Sequence, residues 1–447
     1  MDAAMLESGR QYDDWKYAGE ERPDGRRPLS SGFDPSVGGG MSAFTFLCVV
    51  VALTGVGLVM MYSASYDEAL SHGLPHHYYF LRQAMFIVLA AICSVIIRFM
   101  PMKWIRKCSP LLLAVCLLLM LMTLYTPFGQ TRMGARRWLS IGPLPSFQPS
   151  ELVKLSLILF LASWFSSEKH EQAKLRRFFV PALVVLLFAA LILLQRDYST
   201  TIVYLCVCLS LFVVGGISFG WMSLFIAFLA VPAVFVLFLA PYRVKRLAAF
   251  FFSDMDTAGI NWQVTNARKA IAAGGWTGVG LGNGVYKLGL IPEVQSDFIF
   301  ASIAEETGFF GILLIFILFF LFALLGYRTW LRMMDRDRFL AYTAFGITTM
   351  IIGQALVNVA VVTGVLPPTG IPLPFFSQGG TNLFVVLCEC ALLYRIMLIA
   401  GGRLEPDRLL RGRRKKVRKV EAEPAAVNVS REVDEFYFPE GSSRHDG

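Results

Sequence analysis

Leu288-Gly289-Leu290-Ile291-Pro292-Glu293-Val294-Gln295-Ser296-Asp297-Phe298-Ile299-Phe300 joins a glycine-rich loop to one of the longest apolar runs in a chain of 447 residues. The run from 298 to 325 is long enough to cross the hydrocarbon core of a bilayer as a helix. Asp297 stands where that run begins, which sets its carboxylate near a membrane surface rather than in bulk water. An ionisable group at such a boundary is a functional candidate. The rest of the chain reads as a membrane vault built around this carboxylate.

Composition agrees. The chain is 55% hydrophobic and only 16% charged, against about a quarter charged in soluble domains, and its mean hydropathy is +0.57. A spanning backbone must satisfy its hydrogen bonds internally, so the expected fold is an all-α polytopic membrane protein. Ten apolar runs follow one another, at 44–62, 79–99, 109–125, 152–166, 178–194, 200–217, 221–240, 298–325, 340–363 and 380–400. They predict about ten transmembrane helices, with 152–166 short unless it extends into its polar flanks. The net charge of +9 is not a nucleic-acid signal, because much of it lies at the ends of these runs.

Basic clusters follow the second run (Arg98, Lys103, Arg106, Lys107), the fourth (Lys169, Lys174, Arg176, Arg177), the eighth (Arg328, Arg332, Arg336, Arg338) and the tenth (411–419). They alternate consistently, so these connections and both termini are assigned to the cytoplasmic side. The expected organisation is a disordered tail over 1–42, a membrane domain over 43–402, and a basic-then-acidic tail over 403–447. No cleavable signal peptide opens the chain, and the first apolar run reads as a signal anchor. The opposite face then owns a long connection, 241–297, which must carry structure of its own. Within it, 261–273 predicts an interfacial helix closed by Gly274-Gly275. The eight cysteines lie in or beside apolar runs and imply no disulfide framework.

Several residues carry possible chemistry. Asp297 with Ser296 could simply cap the eighth helix. Glu293, one turn earlier, favours a functional reading, since a second nearby acid raises a pKa by repulsion and desolvation. Basic residues placed on the outer face run against the topological bias and need a reason: Arg136 and Arg137, then Arg243, Lys245 and Arg246, then Lys287. With a carboxylate they suit an anionic, phosphorylated substrate. Glu151 and Lys154 share a helix face and either neutralise each other or leave Lys154 to hold a diphosphate. Six glycines between Gly274 and Gly284 have the composition of a phosphate-cradling loop, yet no Walker pattern or Rossmann strand surrounds them, so they read as flexible backbone. His72, His76 and His77 are weak metal candidates, because Pro75 breaks the helix that their spacing would need. No metal site and no cofactor are read, although a divalent cation is compatible with phosphate chemistry. Asp197, Glu305, Glu306, Glu389 and Arg395 lie in or at the edges of runs, and each needs a partner.

A set of motifs in order then resembles the SEDS family, the FtsW/RodA peptidoglycan polymerases. The pieces are 61–65 (Met-Tyr-Ser-Ala-Ser), 134–138 (Gly-Ala-Arg-Arg-Trp), 147–154 (Phe-Gln-Pro-Ser-Glu-Leu-Val-Lys) and 241–243 (Pro-Tyr-Arg). They continue with 278–282 and Lys287, then 291–308 from Ile-Pro-Glu to Ala-Glu-Glu-Thr-Gly, and finally 369–380. The resemblance implies a SEDS-type fold with a large extracytoplasmic loop between spans 7 and 8. It also implies an inverting glycosyltransferase that polymerises lipid II on the outer face of the bacterial cytoplasmic membrane. By the same resemblance Asp297 is the general base, and undecaprenyl diphosphate leaves against Arg136, Arg137, Lys154, Arg243 and Lys287, with Gln148, Glu293 and Ser377 also at the substrate. A class B penicillin-binding protein is the expected partner, within a division or elongation complex. Tyr62–Ser65 and Phe80–Gln83 lean towards the division branch, whereas Thr369–Phe375 suits the elongation branch equally. The chain departs from the family pattern at Arg196–Thr200, Asn266-Ala267, Gln378 and Thr381-Asn382. A lipid II flippase and a non-catalytic scaffold for a transpeptidase are the competing readings.

Overall fold

A computed structural model describes residues 35–404 apart from 133, 141, 143–144, 168–173 and 239–261. The two expected tails therefore lie almost wholly outside the described residues, as do Arg243, Lys245 and Arg246. In chain order the elements are α1 (Pro35–Ser71), α2 (Tyr78–Phe99), α3 (Met102–Tyr125), β1 (Gly129–Arg132), β2 (Ala135–Leu139), α4 (Pro149–Phe165), α5 (Lys174–Leu194) and α6 (Tyr198–Val214). Then come α7 (Phe219–Phe238), α8 (Trp262–Gly274), α9 (Ile299–Met334), α10 (Arg338–Val362) and α11 (Gly380–Ala400).

Each apolar run forms a helix. Seven of these helices have the length and composition to cross a bilayer, so the chain is a multi-pass membrane protein. The remaining three, α4, α6 and α7, are shorter or less fully described, and the count of ten spans rests on sequence alone. α4 shows why its run looked short. At 17 residues it is about 26 Å long at 1.5 Å per residue. Nearly every side chain along it is buried, including Glu151 and Lys154, because α3, α5, α6, α10 and α11 all touch it. A helix enclosed by protein has no lipid to match and can carry charge if that charge is paired.

α9 is the longest helix after α1 and is not a single rod. Gly308 (φ 63°, ψ −163°) interrupts it, leaving a buried segment Ile299–Thr307 and a lipid-exposed one from Phe309 onward. The second segment is about 39 Å long at 1.5 Å per residue, enough to span with tilt. Asp297 therefore stands a short, buried helix ahead of the membrane-crossing stretch, not at its first residue.

The break explains the glycine run. Interrupting the helix orphans the carbonyls of Glu305 and Glu306 and the N–H groups of Phe309 and Phe310. The loop after α8 supplies partners to all four. Val279 N and Gly280 N donate to the Glu305 and Glu306 carbonyls at 3.0 and 3.1 Å, while Phe309 N and Phe310 N donate to the carbonyls of Gly275 and Trp276 at 2.9 and 3.2 Å. Backbone approaches backbone so closely that a Cβ on Gly278 (φ 79°) would lie 2.1 Å from the Glu306 carbonyl oxygen. The loop is thus fixed onto α9 rather than flexible. The expected helix before it is present as Trp262–Gly274, with Gly275 in the left-handed region (φ 50°) as its terminator.

One element went unread in the sequence. β1 and β2 form an antiparallel hairpin, with Gln130 opposite Trp138 and Arg132 opposite Ala135. Gly134 (φ 76°) makes its turn, and the Arg132 guanidinium lies over the Trp138 ring at 5.2 Å.

Candidate functional site

Asp297 lies in the turn before α9, half-buried. The helix has Phe298 at its N-cap with no side-chain cap bond, so helix capping does not account for the Ser296-Asp297 pair. Two polar residues of α10 fix the backbone here. Asn358 Nδ2 donates to the Asp297 carbonyl at 2.8 Å and to the Ile371 carbonyl at 2.7 Å. Gln354, one turn away, donates to the Pro372 carbonyl at 3.0 Å. The 364–379 loop is thereby pulled over the acid, and a Cβ on Gly370 (φ 70°) would come within 3.5 Å of Asp297 Oδ2.

The same loop fastens itself to its neighbours. Ser377 Oγ accepts from Leu373 N at 2.7 Å, Gln378 N donates to the Gln295 carbonyl at 2.8 Å, and Gln83 of α2 donates to the Ser377 carbonyl at 3.2 Å. Ser377 therefore shapes the loop beside Asp297 with its own hydroxyl engaged. Among the described residues, the non-glycine residues with positive φ are Arg196, Glu293 and Phe375. All three lie in connections on this side, the kind of local strain that surrounding structure has to hold in place.

Glu293 is half-buried, and burial pushes its carboxyl above the usual range; the Glu68 carboxylate adds to this and His72 opposes it. An acid acting on Glu293 is thus Glu68, brought from the end of α1. His72 Nδ1 lies 3.5 Å from Glu68 Oε1, and His76 packs against Tyr62, Tyr66 and His77. Among the described residues, no group of three or more His, Cys, Asp or Glu is placed to hold a metal ion.

Most of the cations read from sequence have partners inside the protein. Lys154 Nζ pairs with Glu151 Oε2 at 2.7 Å and donates to Gln354 Oε1 at 3.2 Å. Glu151 also accepts from Asn382 Nδ2 at 2.6 Å. Lys287 Nζ pairs with Glu306 Oε1 at 2.7 Å and donates to Ser63 Oγ and the Gly282 carbonyl at 2.8 and 2.9 Å. Glu306 in turn accepts from Gly282 N at 3.0 Å, and Glu305 from Val285 N at 2.6 Å. Where a phosphate-cradling loop would present free N–H groups, two of these already meet carboxylates.

Arg137 Nη1 lies 3.5 Å from Asp197 Oδ2. Asp197 caps α6 through Thr200 N at 3.3 Å and accepts from Gln148 Nε2 at 3.3 Å, which places Gln148 inside this network. Arg136 Nη2 donates to the Thr126 carbonyl at 2.6 Å. The site thus contains a half-buried acid in a pinned turn, with buried ion pairs stiffening the elements around it. Such an arrangement can take a proton at Asp297 from a hydroxyl held beside it.

Sequence reading missed Gln354 and Asn358, whose signal was two amides four apart in an apolar run. It also missed Glu68 as a neighbour of Glu293.

Residues 44–400 match the family model FTSW_RODA_SPOVE, described as cell cycle protein. A probable peptidoglycan glycosyltransferase FtsW of Hahella chejuensis is 35% identical over 368 residues, covering 80% of this chain and 91% of that one. Stage V sporulation protein E of Bacillus subtilis is 34% identical over 351 residues, covering 78% and 94%. Among solved structures, a chain from a peptidoglycan synthase complex that coordinates polymerization and crosslinking superimposes with a TM-score of 0.66 at 27% identity, covering 81% of this chain and 98% of that one. The rod shape determining protein RodA of Thermus thermophilus shares the fold with a TM-score of 0.56 at 23% identity, covering 83% and 99%.

Proposed function

The chain belongs to the FtsW/RodA/SpoVE family, and from that premise we propose how it works as a peptidoglycan glycosyltransferase: it polymerises lipid II with Asp297 as general base. The observation that carries this reading is the turn around Asp297. Its backbone is tied down by Asn358 and its carboxylate stands half-buried beside the 364–379 loop. A base held in one position removes a proton without a search for geometry.

In the proposed step Asp297 takes the proton of the acceptor sugar hydroxyl. The freed oxygen attacks the donor's anomeric carbon from the face opposite the diphosphate. The carbon–oxygen bond to the diphosphate breaks, its electrons stay with undecaprenyl diphosphate, and the anomer inverts. Arg136 and Arg137 lie on the outer hairpin, where they help to balance the developing charge. Lys154 and Lys287 act through the elements they lock. The reading includes a septal role, a class B penicillin-binding protein as partner, placement in the bacterial cytoplasmic membrane and both termini in the cytoplasm.

The test uses the full chain purified with its transpeptidase and supplied with lipid II. Wild type is expected to form glycan strands, and Asp297→Asn none, with thermal unfolding unchanged. Polymer from Asp297→Asn refutes the base. Absence of polymer from wild type favours a scaffold or a flippase.

A further inference from the structure

Two guanidiniums converge on one neutral group beside the hairpin. Arg82, on the first turns of α2, and Arg132, at the tip of β1, both donate to the same hydroxyl, Ser146 Oγ, at 3.2 and 3.3 Å. Arg132 also reaches Gln130 Oε1 at 2.8 Å. Among the described residues neither arginine forms an ion pair with a carboxylate. Burial, with the neighbouring Arg82 charge, pushes the Arg132 guanidinium below its ordinary value. Two like charges converging on a neutral hydroxyl are mutually repulsive, and an anion between them relieves that repulsion.

They line a cavity of about 550 Å³ together with Ser146, Tyr78, Leu81 and Met85, a size usual for small-molecule sites of about 300–1,000 Å³. Its walls are of two kinds. Arg82, Arg132 and Ser146 are polar, whereas Leu81 and Met85 are exposed apolar residues of a helix whose outer face stays uncovered along its length. A ligand with an anionic head and a hydrocarbon chain matches that division. Gln83, next to Arg82 in sequence, donates to the loop whose Gln378 bonds to Gln295.

We propose that Arg82, Arg132 and Ser146 form a binding site for the diphosphate of a polyprenyl diphosphate, with the chain leaving along α2. The proposal rests on the glycosyltransferase reading for its choice of lipid, but binding is measured separately from polymerisation. Arg132 supplies a bidentate donor that a planar phosphate edge can use. Its stacking on Trp138 keeps that donor aimed at the cavity.

The test measures binding of undecaprenyl diphosphate to the full chain in nanodiscs. Arg82→Gln and Arg132→Gln are each expected to weaken binding about tenfold or more, as loss of a charge-assisted hydrogen bond does. Arg132→Lys keeps the charge and should fall between wild type and Arg132→Gln. Thermal unfolding of each variant checks the fold. Unchanged binding in both glutamine variants overturns the site. Full displacement by phosphatidylglycerol in the nanodisc also overturns it, since the cavity would then hold a bulk lipid headgroup. Loss of binding in the arginine variants, together with a wild type that makes no polymer, would leave the site standing and remove the glycosyltransferase reading instead.

Discussion

Replacing Lys287 with methionine removes a cation held between Ser63 of α1 and Glu306 of α9. The Lys287 and Glu306 side chains are almost wholly excluded from solvent, at 6% and 0% exposure. Breaking such a pair by deleting one partner costs about 3–5 kcal/mol, because a charge stays buried without its counter-charge. Glu306 would keep Ser63 Oγ and Gly282 N as donors, so Lys287→Met belongs near the lower end, about 3 kcal/mol. Removing both charges with Lys287→Met/Glu306→Gln should recover much of the loss, since a neutral pair of similar volume carries no desolvation penalty. A coupling energy of roughly 1–3 kcal/mol is expected between the two positions.

The cycle is read by unfolding wild type, both single variants and the double variant in nanodiscs, with polymerisation of lipid II measured on the same preparations. If Lys287 works by fastening the glycine loop to α9, activity follows stability, and the double variant regains both. If it instead touches the diphosphate, the double variant regains stability and stays inactive. A nearly neutral Lys287→Met, or a double variant no more stable than the worse single one, refutes the structural argument.

Three further outcomes are expected. Glu293 is held above its ordinary value by burial and Glu68, so the folded state favours its protonated form. That contribution is complete below about pH 4.3 and is lost as pH rises through the folded value. The unfolding temperature of Glu293→Gln should therefore match wild type in acid and exceed it increasingly towards neutral pH; a gap independent of pH excludes the mechanism. Gly278→Ala places a methyl group against the Glu306 carbonyl in a left-handed conformation, at a cost of about 2 kcal/mol or more, and should speed proteolysis of the loop after α8. Asn358→Leu leaves the Asp297 and Ile371 carbonyls without their shared donor, costing about 2–4 kcal/mol. It should lower kcat more than it raises KM, because the base loses its fixed position.

The helices were legible because a bilayer imposes one length and one polarity, and each apolar run from 44–62 to 380–400 had no other stable fate. The acid at Asp297 was legible for the same reason, as a charge at the edge of such a run. The partners of Lys154, Lys287 and Arg137 were not. Lys287 meets Glu306 across 19 positions, and Arg137 meets Asp197 across 60, distances over which only the packed fold decides who pairs. Glu151–Lys154 was the exception, since three residues on one helix are neighbours before any tertiary structure forms. The break at Gly308 left no clear local signal, because one glycine in an apolar helix is common and its φ is set by the loop that meets it.

These pairings bear on how the connections around Asp297 can be both irregular and rigid. Backbone that leaves helical geometry at membrane depth must find its hydrogen-bond partners in protein. Here the partners are side chains: Glu305 and Glu306 of α9 for the glycine loop, Asn358 and Gln354 of α10 for the loop over Asp297, and the N-cap Asp197 for the start of α6. Two of these buried carboxylates also meet a cation, Glu306 with Lys287 and Asp197 with Arg137. Burial and pairing go together for Lys154 and Lys287, whose side chains are 6% exposed and each meet a glutamate, whereas Arg82 and Arg132 share only the neutral Ser146 hydroxyl.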